Sequence, residues 1–177
     1  MPAATRSRSI LWLMPVIFAL HDGEELLTMP GWIRAHDAPL QELAASSRVG
    51  SMAISSLARS GAGVAVAIGL VSAVVLIVTV GATRSARPGW LYAYAATLGV
   101  LALHVVSHVG QAVLFGGYVP GLYGAVLAVL PGSVVIYARL FREGMLTARG
   151  AAVSAAAGAL AAGPIVLAAH SLGRLVG

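Results

Sequence analysis

The chain contains no cysteine and no lysine, and charge of either sign is scarce. Without cysteine, disulfides, thiolate metal sites and redox-switch chemistry are excluded. Without lysine, the net charge of +5 rests on arginine alone. No basic cluster is interleaved with aromatics, which speaks against a nucleic-acid surface and for arginines that orient membrane spans. Charged residues make up 10% of the 177, against about 25% in a soluble domain. With 59% apolar residues and a mean hydropathy of +0.90, the chain is built for a lipid solvent, and its length suits one membrane domain, 1–177.

Five apolar runs reach the length of about 20 residues that a spanning helix needs. They cover roughly 9–28, 62–83, 89–115, 121–141 and 151–173. The expected fold is therefore all-α, a polytopic membrane helix bundle of about five transmembrane helices. Arg6 and Arg8 before a short apolar run resemble the start of a signal peptide, but Ala19-Leu20 leads straight into His21 without a small-x-small cleavage site. An uncleaved first span is the expectation. The one sizeable loop follows it and opens with Met29-Pro30-Gly31-Trp32, where proline and glycine are expected to stop the helix. Asp37 then stands as an N-cap before Pro39, with Leu40, Leu43 and Ala44 at helical spacing, so one or two short interfacial helices are expected there. Trp90, Tyr92, Tyr94, Tyr118 and Tyr137 suit an aromatic belt at the two membrane faces.

Arginine placement orients the bundle. With the N-terminus inside, Arg6, Arg8, Arg84, Arg87, Arg139, Arg142 and Arg149 are cytoplasmic, whereas Arg34, Arg48, Arg59 and Arg174 are outside. Seven against four favours a cytoplasmic N-terminus and an external C-terminus.

Against this apolar background, His21-Asp22-Gly23-Glu24-Glu25 stands out. Ionisable groups at membrane depth are costly unless paired, ligated or hydrated, which makes them functional candidates. His21, Glu24 and Glu25 stand at i, i+3 and i+4, on roughly one side of a helix. A second group, His104 and His108, is also spaced i, i+4, with Ser107 and Gln111 on the same stripe. At 1.5 Å per residue, His21 to Glu25 lie roughly 18–24 Å along the first span and His104 and His108 roughly 22–28 Å along the third. His170 lies roughly 28 Å along the fifth, and Tyr118 heads the fourth at its outer end. All fall in the same half of the bilayer, whichever way the topology runs.

Imidazole and carboxylate together are ligands for zinc, iron or manganese and leave positions open for water. The pattern echoes the inverted zinc motif H-x-x-E-H with its last histidine replaced by glutamate. In that reading His21 and Glu25 are ligands one turn apart, Glu24 is the base that takes a proton from water, and His104 and His108 complete the site. In a binuclear alternative both glutamates, Glu24 and Glu25, are ligands. Asp22 is read as pointing away from the ligand line and bonding a ligand histidine. Gly23 marks a kink or a close approach. A metal-free proton network and interhelical packing by polar residues are the competing explanations. His36, in the loop, is read as solvent-exposed.

These residues resemble the HXXEE-motif family of integral membrane proteins, which has no established function. The motif stands here as His21-Asp22-Gly23-Glu24-Glu25, followed by Pro30-Gly31-Trp32. A second block, His108, Gln111, Tyr118-Val119-Pro120-Gly121 and Pro131, is similar to the family's as well. In the family His104 often corresponds to asparagine and Gly124 to threonine, which makes His108 the firmer ligand of the pair. The resemblance runs from the first span to the fourth.

The functional expectation is a small membrane metalloenzyme that binds a divalent metal, zinc or iron. Glu24 and Tyr118 are its candidate catalytic residues, and His21, Glu24, Glu25, His104 and His108 its candidate ligands. The chemistry would be hydrolytic and water-activated, or oxidative at a di-iron centre, on a lipid-like or amphipathic substrate reached from the bilayer. A proton-coupled carrier and a non-catalytic membrane scaffold, with packing surface at Gly158, Ala162 and Gly163, are the rival classes.

Overall fold

The computed structural model describes residues 8–46 and 61–173, with side chains for all of these except 61–67 and 163–173. The described residues are helical, with no strand among them. A short 3-10 turn, Ile10–Trp12, leads into α1, Leu13–Ala35. Next come α2, Asp37–Ser46, and α3, Gly61–Arg84. The fourth helix, α4, is Pro88–Leu114, and α5 is Leu122–Arg142. Finally α6 covers Ala148–Gly173.

Of the five expected spans, α4 and α5 are long and apolar enough to cross a bilayer over their described residues. In α3 and α6 the corresponding apolar stretches are shorter, Ile68–Arg84 and Ala148–Ala162. The middle of α1 carries Asp22, Glu24 and Glu25, which lowers its apolar character where the other helices keep theirs.

One buried stripe runs along each of the two helices that carry the motif residues. On α1 it is Met14, Ile17, Phe18 and His21, at the spacing of one helix face. On α4 it is Tyr94, Leu98, Leu101, Val105 and His108. Both stripes are apolar over most of their length and end in a buried histidine. The same core takes in Val75, Val78 and Ala82 of α3, and Ala125, Val129 and Ile136 of α5. α4 and α6 approach closely: a Cβ on Gly158 would lie 2.6 Å from the Ala96 carbonyl oxygen, and one on Gly99 would lie 2.6 Å from Ala155 Cβ.

Three expectations are corrected here. First, α1 does not stop at Pro30-Gly31 but continues to Ala35. The indole of Trp32 donates to the Tyr118 carbonyl oxygen at 2.8 Å and meets Phe115 edge-on at 4.9 Å. These tertiary contacts hold the last turn in place despite the amide hydrogen that proline lacks. Second, Tyr94 is not a belt residue. It is fully buried, and its hydroxyl donates to the Leu11 carbonyl oxygen at 2.9 Å. The Tyr137 hydroxyl likewise turns inward, to the Ala95 carbonyl oxygen at 2.9 Å. A buried phenol is tolerated when its hydroxyl finds such a partner. Third, His36 is not simply solvent-exposed: half-buried, it stacks on Trp32 with ring centroids 4.3 Å apart.

At the other end, Arg8 donates to the carbonyl oxygens of Thr83 and Ser85, at 3.3 and 2.9 Å. A cation there satisfies the free carbonyls at the C-terminus of α3. A short helix does follow Asp37, with Leu40 buried. Residues 47–60, where a second short helix was expected, lie outside the described residues, as do Arg48, Arg59 and Arg174.

Candidate functional site

His21, Glu25, His104 and His108 converge, each offering one ligand atom, and those atoms all lie within 4.8 Å of one another. His108 Nε2 is 3.0 Å from His104 Nε2 and 3.3 Å from Glu25 Oε1. His21 Nε2 is 4.0 Å from Glu25 Oε1. The three imidazoles meet edge to face, with centroids 4.5 to 5.5 Å apart. His21 and His108 are buried and Glu25 is half-buried, whereas His104 stands on the exposed flank of α4.

The hydrogen bonds behind the rings define which nitrogens face inward. His21 Nδ1 lies 3.1 Å from the Gly121 carbonyl oxygen. A carbonyl only accepts, so Nδ1 carries the hydrogen and Nε2 presents a lone pair to the cluster. Ser107 Oγ donates its single hydrogen to the His104 carbonyl oxygen at 2.6 Å. Toward His104 Nδ1, 3.1 Å away, that hydroxyl must then accept. His104 Nε2 therefore also presents a lone pair.

Asp22 adds a further carboxylate. Its Oδ1 lies 4.0 Å from His21 Nε2, on the ligand side of the ring, and it makes no hydrogen bond among the described residues. Asp22 stands outside the four residues whose ligand atoms converge, beside one of their histidines. Adjacent helical residues diverge by about 100°, but a short side chain can still reach the neighbouring ring edge.

Glu24 occupies a different place. Its Oε1 accepts from the Tyr118 hydroxyl at 2.7 Å and from the Tyr123 N–H at 3.3 Å, while Oε2 accepts from the Gly124 N–H. The sequence placed Glu24 in the ligand set; the structure brings His21, Glu25, His104 and His108 together and ties Glu24 to the start of α5. Tyr118 goes with Glu24: its hydroxyl also lies 3.1 Å from Thr28 Oγ1, and its ring stacks on Tyr123 at 5.1 Å. Desolvation, reinforced by the Glu24 carboxylate, holds the Tyr118 phenol above its ordinary pKa, so it remains a donor.

The α4–α5 connection forms one wall of the site. Val119, Pro120 and Gly121 are buried in it. Gly121 has φ +81°, and a Cβ there would lie 2.7 Å from His108 Cε1 and 2.8 Å from both His21 Cε1 and Glu25 Cγ. A Cβ on Gly124 would lie 2.6 Å from His21 Cα. Immediately beyond, Ala125–Val129 forms a π turn, a feature common near functional sites. Sequence reasoning missed the roles of both glycines. Their signal was the run Pro120-Gly121-Leu122-Tyr123-Gly124, two bare positions three apart at a helix start. The side chain of His170 lies outside those described, and His36 is in the Trp32–Phe115 aromatic cluster, away from the ligands.

A family profile described as "Protein of unknown function with HXXEE motif" matches residues 12–136, from the start of α1 to the middle of α5. No curated protein matches the chain. No solved structure matches it either.

Proposed function

The chain belongs to the family of proteins of unknown function with an HXXEE motif, and we propose, from the geometry of its site, that it is a membrane metalloenzyme. Its divalent cation, zinc or iron, is held by His21, Glu25, His104 and His108. The observation that carries this reading is the balance of donors and acceptors. Two imidazole lone pairs, on His21 and His104, and the Glu25 carboxylate face one small space, with the Asp22 carboxylate at its edge beside His21. Among the three rings, His108 Nε2 is the nitrogen left to offer a hydrogen in this arrangement, a hydrogen that a bound cation would replace. So many converging acceptors call for a cation.

The spacing supports the same reading. Ligand atoms about 2.0–2.1 Å from one zinc ion lie about 3–4 Å from each other. The contacts of 3.0, 3.3 and 4.0 Å fit that range. So does the carbonyl behind His21, because a ligating histidine usually donates its other N–H to such a group.

A cation in this shell supplies a Lewis acid and a water made acidic by coordination. The chain's own part is then to orient and to accept a proton. Asp22, free of hydrogen bonds and beside His21 Nε2, takes the proton-accepting role that the sequence had suggested for Glu24. The reaction proposed is a hydrolysis or another water-activated step. The substrate is lipid-like or amphipathic and comes from the bilayer along the exposed flank of α4 at His104, since Val119, Pro120 and Gly121 close the side of the connection. The five-span topology, with a cytoplasmic N-terminus and external C-terminus, belongs to this proposal and rests on the arginine bias. A proton carrier is less favoured, because below the site the buried stripe continues as Leu101, Leu98, Phe18, Ile17, Met14 and Leu11, and the Tyr94 hydroxyl at its far end is committed to the Leu11 carbonyl oxygen.

The test is metal analysis of protein purified in detergent, wild type beside Glu25→Ala and His108→Ala. One equivalent of zinc or iron in the wild type, lost in both variants, is expected. A wild type without stoichiometric metal after supplementation with either ion would contradict the proposal.

A further inference from the structure

The start of α5 lacks the cap that its position calls for. At a helix N-terminus the residue before the first turn normally offers a side-chain oxygen to the N–H groups of the second or third residue. Here that residue is Gly121, which has no side chain. Any side chain is barred: φ is +81°, and a Cβ would press on His108, Glu25 and His21 together. The two N–H groups left open belong to Tyr123 and Gly124. Both are taken by one carboxylate from another helix, Glu24 of α1. The Tyr118 hydroxyl steadies the same carboxylate from the preceding connection.

We propose that Glu24 is a positioning residue that caps α5 from α1 and thereby sets the tautomer of His21. The link is short. Gly121, whose carbonyl accepts the His21 Nδ1 hydrogen, lies only two residues before Tyr123 and three before Gly124. Holding those two amides holds the Gly121 carbonyl at His21. Two neighbours in the motif thus divide the labour: Glu25 turns its carboxylate to the imidazoles, and Glu24 turns its own to the helix start that orients one of them. The anion also lies at the positive end of α5, where a carboxylate is stabilised. Gly124 is bare at the matching place, where a Cβ would lie 3.0 Å from Glu24 Oε2. The benefit to a bound cation rests on the metal reading above; the tautomer does not.

The experiment is nitrogen NMR of histidine-labelled, chelator-treated protein in detergent, with the His21 signal assigned by its loss in His21→Gln. Wild type is expected in the Nδ1–H form. Glu24→Ala and Glu24→Asp, which remove or shorten the reach, should convert His21 to a tautomer mixture. Glu24→Gln, whose amide oxygen still accepts from Gly124 while its NH2 cannot accept from Tyr123, should keep the signal closer to wild type than Glu24→Ala does. A His21 signal unchanged in Glu24→Ala and Glu24→Asp would overturn the proposal, and so would a signal altered in Glu24→Gln as much as in Glu24→Ala.

A parallel zinc titration separates the two ideas. As a positioning residue, Glu24→Ala should weaken zinc by about 10–100-fold and Glu24→Gln by little, whereas Glu25→Ala abolishes stoichiometric binding. Loss in Glu24→Gln equal to that in Glu25→Ala would make Glu24 a ligand and overturn its positioning role. Absence of both zinc and iron binding in the wild type would contradict the metal site alone, leaving the tautomer measurement to decide on Glu24.

Discussion

Gly121 meets His21 in two ways: its carbonyl oxygen lies 3.1 Å from Nδ1, and a Cβ on it would lie 2.8 Å from Cε1. The same bare position therefore orients the ring and makes room for it. Gly121→Ala must accept both an unfavourable φ of +81° and a collision with three site residues. Overpacking of this kind costs about 1–3 kcal/mol. A lowered unfolding temperature in detergent, together with weakened zinc binding, is the expected result. A variant as stable as wild type would show that the connection is not packed against the ligands as described.

Ser107 orients His104 as Gly121 orients His21. Ser107→Ala removes the acceptor for Nδ1 of His104 and leaves the ring free to turn or change tautomer. Loss of such an orienting partner typically weakens a metal by about 10–100-fold. Competition with a chelator of known affinity measures it. Gln111→Ala, exposed on the same helix and with no side-chain hydrogen bond to the ligands among the described residues, should leave the affinity unchanged.

Asp22 and Glu25 should separate binding from turnover. Asp22→Asn keeps the four ligand side chains, so the metal content stays near wild type. If Asp22 accepts the proton, hydrolysis falls by about 100-fold or more. The readout is release of product from a panel of acylglycerols and phospholipids in mixed micelles, with a chelator-treated control. Full activity in Asp22→Asn would remove it from the reaction.

Trp32 joins the end of α1 to the α4–α5 connection through its bond to the Tyr118 carbonyl. Trp32→Phe keeps an aromatic ring beside Phe115 but loses that bond, at a cost of about 0.5–1.5 kcal/mol. Thermal unfolding in detergent checks this. A change confined to stability, with metal content retained, is expected because Trp32 touches none of the four ligands.

The histidines were legible in the sequence for a physical reason. His21 and His108 occupy the buried faces of α1 and α4, so the helical spacing that reveals the core also reveals them. The equal depth of the two groups followed from counting residues. What the spacing leaves open is which glutamate faces inward, since i+3 and i+4 from His21 both lie on its side of the helix. That choice is made by Tyr123 and Gly124, about 100 residues away, and no local pattern in α1 encodes it. Pro30 was misread for the same kind of reason: an indole bonded to the α4–α5 connection is a tertiary fact.

The central claim is a cation bound among His21, Glu25, His104 and His108. X-ray absorption at the zinc edge of the purified, zinc-loaded protein tests it most directly. The account predicts a shell of nitrogen and oxygen at about 2.0–2.1 Å, with the multiple-scattering signature of three imidazoles, reduced to two in His104→Ala, which removes the exposed ring of the set. A shell with no imidazole signature, or one unchanged in His104→Ala, would contradict it.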